Sequence, residues 1–318
     1  MKKTLLSLVV PFYNEEESVE QFFLRVRLAL EAIESVDYEI VCVNDGSKDD
    51  TLLKLIEAAR HDSKIHIIDL SRNFGKEAAL TAGLNEALGD IVIPFDADLQ
   101  DPPEVIADLV MKWQEGYDVV VAKRVDRASD TFLKRFSAAA FYRLHNKLSD
   151  VKIPENVGDF RLITREVVEA IKLMPESRRF MKGLFAWVGY RTATVTYARE
   201  SRVAGKTKFS AWKLWNFALE GLTSFGTLPL RVWFYLGLAV ALLSLVYAGY
   251  LVARTMLLGI VVPGYASIIT AVLFLGGVQL IGIGIIGEYV GRIYVESKQR
   301  PVYLIRRRYR AMEKEDEI

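Results

Sequence analysis

Three side chains able to bind a metal ion lie close together near the middle of the sequence. Asp96, Asp98 and Gln100 follow the apolar run Ile91–Phe95 and precede a proline pair at 102–103. Such a run is typical of a strand buried on both faces of a parallel sheet, and the prolines favour a new helix. Alternate residues of an extended chain point to the same side, so the three side chains are expected to share one face. Hard divalent ions prefer oxygen ligands, and the pattern predicts an ion that bridges to a substrate's phosphates. The alternative is an ordinary aspartate pair in a surface turn.

Strand-like and helix-like segments alternate over residues 1–124. The predicted strands are Leu5–Val10, Tyr38–Asn44, Ile65–Leu70, Ile91–Phe95 and Asp118–Lys123. This alternation predicts a mostly parallel sheet in a three-layer α/β domain. The first helix is expected to begin after Asn14 as its N-cap and to run to about Ser35.

Polar side chains follow most of these strands. They are Tyr13, Glu15, Asp45, Arg72, Asp96, Asp98 and Arg124. Open α/β sheets bind ligands at the carboxyl ends of their strands, so the sequence predicts a nucleotide pocket there. The two common glycine-rich phosphate-binding motifs, G-x-G-x-x-G and G-x-x-x-x-G-K-[ST], are both absent from the sequence. Phosphates are therefore expected to be held by a metal ion and by basic side chains.

Further candidates lie beyond residue 124. Gly158 allows a tight turn that presents Asp159, and residues 199–209 read RESRVAGKTKF, a cation-rich loop with a central glycine. This loop predicts phosphate binding by Arg202, Lys206 and Lys208. A basic, aromatic helix is predicted over 125–150, either as a solvated face or as a cationic wall near a membrane.

The last third of the chain is predicted to lie in and on a membrane. Residues 233–252 and 266–286 contain no charged residue, and each is close to the ~20 residues that cross a bilayer. An amphipathic segment over 210–228 is expected at the interface. The basic residues beyond the second span place both termini in the cytoplasm.

These segments divide the chain into four predicted parts. They are a catalytic domain at 1–209, interfacial helices at 210–230, a two-helix transmembrane hairpin at 231–290 and a basic cytoplasmic tail at 291–318. Small residues recur along both spans, for example Gly237 in the first and Gly277 and Gly284 in the second. They favour close helix packing, either within the hairpin or in a homo-oligomer.

Composition excludes several other classes. A net charge of +1 gives no electrostatic argument for nucleic acid binding. The single cysteine, Cys42, cannot form an intramolecular disulfide and is expected to be a buried thiol. The three histidines lack the spacing of metal ligands, so no zinc site is predicted.

Together, six motifs resemble those of the family 2, GT-A-type glycosyltransferases that act on polyprenyl phosphates. This group includes the dolichyl-phosphate mannose synthases and the bactoprenol glucosyltransferases. The motifs are PFYNE at 11–15, VNDGSKDDT at 43–51, RNFGKEAAL at 72–80, DADLQDPPE at 96–104, GDFRL at 158–162 and RVAGKTKF at 202–209. The Q-x-x-R-W signature of processive members is absent, which disfavours polymer synthesis.

The resemblance assigns roles to particular residues. It implies that the donor's base and ribose are surrounded by Pro11, Tyr13, Glu15, Val43 and Asp45. Asp96 and Ala97 would also touch the nucleotide. Asp98 and Gln100, with Asp96 beside them, would hold Mg²⁺ or Mn²⁺ on the diphosphate. Phosphates of donor or acceptor would be bound by Arg124, Arg202 and Lys208.

The implied reaction moves one sugar from a nucleotide-sugar to polyprenyl phosphate, with inversion. The acceptor phosphate, with a second pKa of about 6, is largely ionised at neutral pH and scarcely needs a base. Asp159 is therefore expected either to act as a base or to orient an arginine or the acceptor. UDP-glucose is the preferred donor, and GDP-mannose, an amino sugar or a modified pentose remain open. The alternatives are a nucleotidyltransferase with the same metal site and a non-catalytic membrane assembly subunit.

Overall fold

The computed structural model describes residues 3–125, 157–176, 179, 181–198 and 264–310, together with scattered positions between 233 and 257. The predicted loop 199–209, the helix 125–150 and the interfacial segment 210–230 lie almost entirely outside this part of the chain.

One eight-stranded sheet organises the described residues. In chain order its strands are β1 (Thr4–Phe12), β2 (Val36–Asn44), β3 (Ile65–Leu70), β4 (Ile91–Pro94), β5 (Val119–Arg124), β6 (Val157–Thr164), β7 (Thr192–Tyr197) and β8 (Ile305–Tyr309). Their spatial order is β7-β5-β6-β4-β1-β2-β3-β8. Strands β6 and β8 pair antiparallel with their neighbours, and the other pairings are parallel. The predicted mostly parallel sheet is confirmed.

Helices cover both faces of the sheet. They are α1 (Val19–Glu31), α2 (Thr51–His61), α3 (Lys76–Glu86), α4 (Val105–Gln114), α5 (Arg165–Lys172) and α6 (Met181–Trp187). A further, long helix, α7 (Tyr265–Ser297), contributes to neither apolar cluster of the domain. Alternate residues of β1 show why three layers form. Leu8 and Val10 pack into one apolar cluster with α1, α2 and α4, whereas Val9 packs into the other with α3, α5 and α6.

The predicted start of the first helix is wrong. Asn14 has a left-handed φ of 52° and lies four residues before the N-cap, Ser18. Its side-chain oxygen accepts the Lys48 N–H at 2.9 Å, and its own N–H donates to Ser47 Oγ at 3.1 Å. Asn14 therefore joins the loops that follow β1 and β2, because these bonds cross between two adjacent strand ends.

Strand β8 extends the sheet with residues that the sequence analysis assigned to a tail. It pairs antiparallel with β3, and Leu304 O accepts the Ser71 N–H at 2.9 Å. Arg308 binds Glu86 of α3 at 2.7 Å, and Tyr303 OH accepts a hydrogen bond from Asn85 at 2.8 Å. Residues 291–318, predicted as a basic cytoplasmic tail, thus include a strand of the catalytic sheet. Sequence analysis missed this strand because its residues are mostly basic. Edge strands tolerate such charged side chains.

Helix α7 contains the segment Phe274–Ser297, which is long and apolar enough to cross a membrane. It is the one such helix within the described residues, and the described positions between 233 and 257 are also helical. Gly282 lies against the indole of Trp233, so a Cβ there would clash. A residue at the start of the first predicted span thus meets one late in the second, as expected for antiparallel helices. By contrast, a Cβ at Gly237, Gly277 or Gly284 would have no atom of the described residues within 4 Å.

Removal of β8 is expected to destabilise the catalytic domain. A chain that ends at Arg300 loses the pairing with β3, and each backbone hydrogen bond contributes about 1 kcal/mol. We expect its unfolding temperature in detergent to fall by roughly 5–10 °C. A chain that ends at Arg310 keeps β8 and serves as the control. Equal unfolding temperatures for the two truncated chains would contradict a stabilising role for β8.

Candidate active site

The candidate site lies at the edge where β1, β2, β4 and β5 end. Strand β6 runs antiparallel to β4 and β5, with Val157 opposite Lys123 and Thr164 opposite Ile91. The beginning of β6 therefore meets the ends of its neighbours, which brings Asp159 to the same edge as Asp96 and Arg124. The structure thus collects the predicted carboxylates and the predicted arginine in one cleft.

Asp45 organises one wall of the cleft. Its Oδ1 accepts the Phe74 N–H at 2.7 Å and its Oδ2 accepts the Gly75 N–H at 2.9 Å. Burial raises the pKa of this carboxyl, and the two N–H groups oppose that shift. Gly46 has a φ of 64°, and a Cβ there would lie 2.5 Å from the backbone of Arg72 and Asn73. The loop after β2 can hold the loop after β3 only because residue 46 is glycine.

The other residues predicted around the donor differ in exposure. Tyr13 is 36% exposed, so its ring is open to a ligand. Val43 and Ala97 are buried, with 0% and 5% of their surface exposed. Glu15 donates its backbone N–H to Thr51 Oγ1 at 2.9 Å, which ties the loop after β1 to α2. Pro11 lies within β1, two residues before Tyr13.

The segment after β4 keeps the predicted alternation but not the predicted extended backbone. Asp96, Asp98 and Gln100 are partly exposed, whereas Ala97 and Leu99 are buried. The strand stops at Pro94, a turn follows at 97–98, and Leu99 has a left-handed φ of 53°. This turn forms because Asp98 Oδ1 accepts the Gln100 N–H at 3.2 Å while Leu99 fills the core.

The described residues contain no group of three or more His, Cys, Asp or Glu side chains placed to hold a metal ion. Asp98 and Gln100 offer the oxygen donors that a hard cation prefers. These residues fit an ion that takes its remaining ligands from a substrate's phosphates. They do not form a complete protein cage.

Lys76 is the central charged residue of the cleft, and the sequence analysis did not assign it a role. Its Nζ lies 2.6 Å from Asp96 Oδ1 and 2.7 Å from Asp159 Oδ2. Lys76 is the first residue of α3, directly after the loop held by Asp45. Its motif was recognised, but only the tertiary structure places its ammonium between two carboxylates that are 63 residues apart in sequence.

Lys76 also determines the protonation of its partners. Burial alone would raise the pKa of Asp159, but the Lys76 ammonium outweighs burial and holds that pKa well below its usual range. At Asp96 burial dominates and raises the pKa, with Lys76 opposing the shift. With its pKa held that low, Asp159 stays ionised near neutral pH.

A second charged layer lies behind Asp159. Arg161 is buried, donates to Gly158 O at 2.7 Å and stacks over the Phe185 ring at 4.2 Å. Burial lowers the pKa of Arg161 to about 10. Glu77 Oε2 accepts the Met181 N–H at 3.2 Å. Burial, with the Asp159 charge as the next cause, raises the pKa of Glu77 to about 7.

Arg124 is held by two residues that sequence analysis missed. Its Nε donates to Tyr197 OH at 3.1 Å, and its NH2 lies 3.4 Å from Asp101 Oδ1. Tyr197 in turn donates to the same Asp101 oxygen at 2.5 Å. Phe160 packs edge-to-face against Tyr197, with ring centroids 5.9 Å apart. The Arg124 guanidinium is thus already held in one position, so binding of an anion would cost less side-chain conformational entropy.

Glu77→Gln is expected to change the pH dependence of stability. Between the usual pKa near 4.5 and the folded value of about 7, the folded state keeps a proton that the unfolded state releases. The contribution of Glu77 to the free energy of unfolding is therefore complete at low pH, and it is lost as the pH rises from 4.5 to about 7. The Gln variant should be more stable than the parent at pH 8 and equal to it near pH 4.5, measured by denaturant unfolding.

The control for that experiment is Glu169→Gln. Glu169 is exposed and its pKa is lowered by the hydrogen bond from Lys172. Its variant should show no gain at pH 8. A Glu77→Gln gain that did not depend on pH would show that packing, and not the charge of Glu77, determines the effect.

Comparison with known proteins places this cleft in a family. Residues 7–172 match the family described as Glycosyl transferase family 2, and residues 228–293 match the GtrB C-terminal hairpin. An uncharacterized glycosyltransferase of Synechocystis sp. is 57% identical over 94% of each chain. The bactoprenol glucosyl transferase of Shigella phage SfV is 56% identical, and a prophage bactoprenol glucosyl transferase homolog of Escherichia coli is 54% identical. Each of these two matches covers 95% of this chain and 98% of the relative. The chain belongs to glycosyltransferase family 2 and is a glycosyltransferase with a GT-A-like α/β domain.

Proposed function

We propose that the protein transfers one glucosyl residue from UDP-glucose to polyprenyl phosphate at the cytoplasmic face of a membrane. The observation that carries the proposal is the near full-length identity, 54% to 56%, to relatives named as bactoprenol glucosyl transferases or their homolog. This identity extends through the catalytic domain and the C-terminal hairpin alike. The cleft adds chemical support, because carboxylates and a fixed arginine meet at the edge where α/β sheets bind nucleotides.

The donor diphosphate is assigned to the turn after β4. Asp98 and Gln100, with Asp96 beside them, would hold Mg²⁺ or Mn²⁺ against its phosphate oxygens. When bound, such an ion would neutralise charge on the departing diphosphate. Tyr13 and Glu15, with the buried Val43 and Ala97 beneath them, are proposed to surround the base and ribose, while Asp45 holds the adjoining loop in shape.

The acceptor phosphate is assigned to the basic residues of the rim. Arg124 faces the cleft, and the loop residues Arg202, Lys206 and Lys208, which lie outside the described part of the chain, are proposed to join it. An oxygen of the lipid phosphate forms a bond to the anomeric carbon, the bond from that carbon to UDP breaks, and UDP leaves. A single displacement inverts the anomeric configuration. No proton needs to be removed from an ionised phosphate, which agrees with the low proton affinity of Asp159.

Asp159 is proposed to orient its neighbours and not to act as a base. Its position depends on Lys76 in front and on the buried Arg161 layer behind. Its Oδ2 lies 2.7 Å from the Lys76 ammonium, so an ionised Asp159 can hold that group in place throughout the reaction.

The position of β8 supports the proposal of two membrane crossings. Helix α7 spans 33 residues, or about 50 Å, which exceeds the ~30 Å apolar core of a bilayer. Its C-terminal end leads within eight residues to β8, which pairs with the catalytic sheet. If α7 crosses once, its N-terminal end lies on the far side, and the chain needs a second crossing between 198 and 264. We therefore propose a two-span hairpin with both termini cytoplasmic.

The reaction is tested with radiolabelled nucleotide-sugars added to membranes that contain the protein. We expect label from UDP-glucose in an organic-extractable lipid, with UDP as the other product and no transfer in chelator. Asp98→Asn should lower transfer at least about 100-fold, because a catalytic cation supplies several kcal/mol. The exposed Asp108→Asn is the matched control. Release of pyrophosphate would indicate a nucleotidyltransferase instead, and full activity of Asp98→Asn in chelator would exclude the metal assignment.

The topology is tested with reporter fusions. A reporter after Arg310 should be cytoplasmic, like one fused before Lys3, because β8 and β1 belong to one sheet. A reporter inserted at Gly259 should lie on the opposite side. Cytoplasmic signal from all three positions would mean that the hairpin does not cross the membrane.

A further inference from the structure

The Arg124 guanidinium is enclosed by residues from three other parts of the sheet edge. Arg124 and Tyr197 are register partners at the ends of β5 and β7, and the Val125 N–H donates to Tyr197 O at 2.9 Å. On β6, a Cβ at Gly158 would lie 3.2 Å from Arg124 NH2, so the guanidinium has room there because residue 158 has no side chain. Asp101, from the segment between β4 and α4, is the third neighbour.

Exposure separates the group that a ligand can reach from the groups that hold it. The Arg124 side chain is 26% exposed, whereas the Asp101 side chain is 4% exposed and Tyr197 is 6% exposed. Within the described residues, Nε and NH2 of Arg124 have these two partners and NH1 has none. A guanidinium has five N–H donors, so donors remain for an anion. Asp101 and Tyr197 therefore act on a ligand only through Arg124.

Aromatic packing fixes the Tyr197 hydroxyl. The Tyr197 ring packs edge-to-face against Phe160 of β6, and Phe160 packs in the same way against Phe95, with ring centroids 5.2 Å apart. The hydroxyl donates to Asp101 and accepts from Arg124. Burial, with the Asp101 charge as the next cause, raises the pKa of Tyr197. The hydroxyl thus keeps its proton near neutral pH and stays a donor to Asp101.

Asp101 connects Arg124 to the part of the chain that is assigned to the donor. It follows Gln100 directly, and the proline pair at 102–103 restricts its backbone. Through its contacts with Arg124 and Tyr197, it joins the segment 98–100 to the ends of β5 and β7. Transfer needs the two phosphate-bearing substrates in one mutual orientation, and a rigid connection between their binding groups provides it.

We propose that Asp101 and Tyr197 are positioning residues for the acceptor, which hold the Arg124 guanidinium in a set place relative to the segment 98–100. The inference rests on the proposed function and adds to it two buried residues that touch neither substrate. A guanidinium held in advance loses less conformational entropy when it binds a phosphate. Removal of either residue should therefore weaken acceptor binding and leave donor binding unchanged.

Tyr197→Phe tests the proposal because it keeps the ring and removes only the hydroxyl. Transfer is measured on the full-length protein in detergent with UDP-glucose, Mg²⁺ and farnesyl phosphate, a short polyprenyl phosphate. We expect kcat/KM for the lipid to fall at least about ten-fold, as for the loss of one hydrogen bond to a charged group. The KM for UDP-glucose should not change.

A second variant and a matched control accompany this measurement. Asp101→Asn keeps an oxygen for the Tyr197 hydroxyl but removes the charge beside Arg124. It should show the same selective loss, and it answers the question if Tyr197→Phe fails to fold by thermal unfolding. The control is Tyr38→Phe. Tyr38 is also buried and also donates to a carboxylate, Glu31 at 3.4 Å, but it lies near the start of β2, at the opposite end of the sheet. Its variant should change neither constant.

A double-mutant cycle with Arg124→Ala separates positioning from direct contact. Residues that act through one group show non-additive effects, whereas independent residues are additive. In the Arg124→Ala background, Tyr197→Phe should therefore cause no further loss of kcat/KM for the lipid. A further loss of the same size as in the unsubstituted protein would show that the hydroxyl contacts a substrate itself, which would overturn the proposal.

Two other outcomes would also overturn it. Unchanged constants for Tyr197→Phe would show that the hydroxyl positions nothing, and equal losses for lipid and UDP-glucose would show a general disturbance of the cleft. Titration calorimetry with farnesyl phosphate measures acceptor binding without transfer. If the unsubstituted protein binds this lipid but transfers no sugar to it, the proposed function fails. Weaker lipid binding by Tyr197→Phe would then still support the inference, and equal binding would overturn it.

Discussion

The ion pairs of Lys76 with Asp96 and Asp159 are the constraint on which the site depends. They join three elements that are distant in sequence, because Lys76 begins α3, Asp96 follows β4 and Asp159 lies on β6. Without the ammonium, the like charges of the two carboxylates would repel each other with no cation between them. The geometry therefore requires α3 to start close to the sheet edge, which the loop held by Asp45 ensures.

The two antiparallel strands give an otherwise parallel sheet its functional edges. Strand β6 begins where β4 and β5 end, so residues near the start of β6 lie at the ligand-binding edge of the sheet. In a parallel strand, only residues near the end would lie there. Strand β8 lies at the far side of the sheet and contacts both β3 and α3, the two elements on either side of the Lys76 loop. Strand β8 begins eight residues after α7 ends, so a short connection joins that apolar helix to this side of the sheet.

Sequence reasoning recovered the parts of this structure that local pattern determines. Five strands and their parallel arrangement follow from apolar runs that alternate with amphipathic segments, and the polar strand ends identified the cleft. The turn at Leu99 was missed because a left-handed leucine has no local signature and is stabilised by burial. Lys76, Asp101 and Tyr197 were missed for another reason. Their roles come from partners 20 to 96 residues away, as with Tyr197 and Asp101, and no spacing within one motif encodes such contacts.

The charge balance of the described cleft explains why the proposed reaction needs further cations. Lys76 is shared by two carboxylates, and Arg124 is paired with Asp101. Lys76 and Arg124 are therefore already paired with acidic groups of the protein, although a diphosphate and a lipid phosphate must approach each other in the proposed reaction. A divalent ion at Asp98 and the basic residues of 199–209 would supply the difference, the first for the donor and the second for the acceptor.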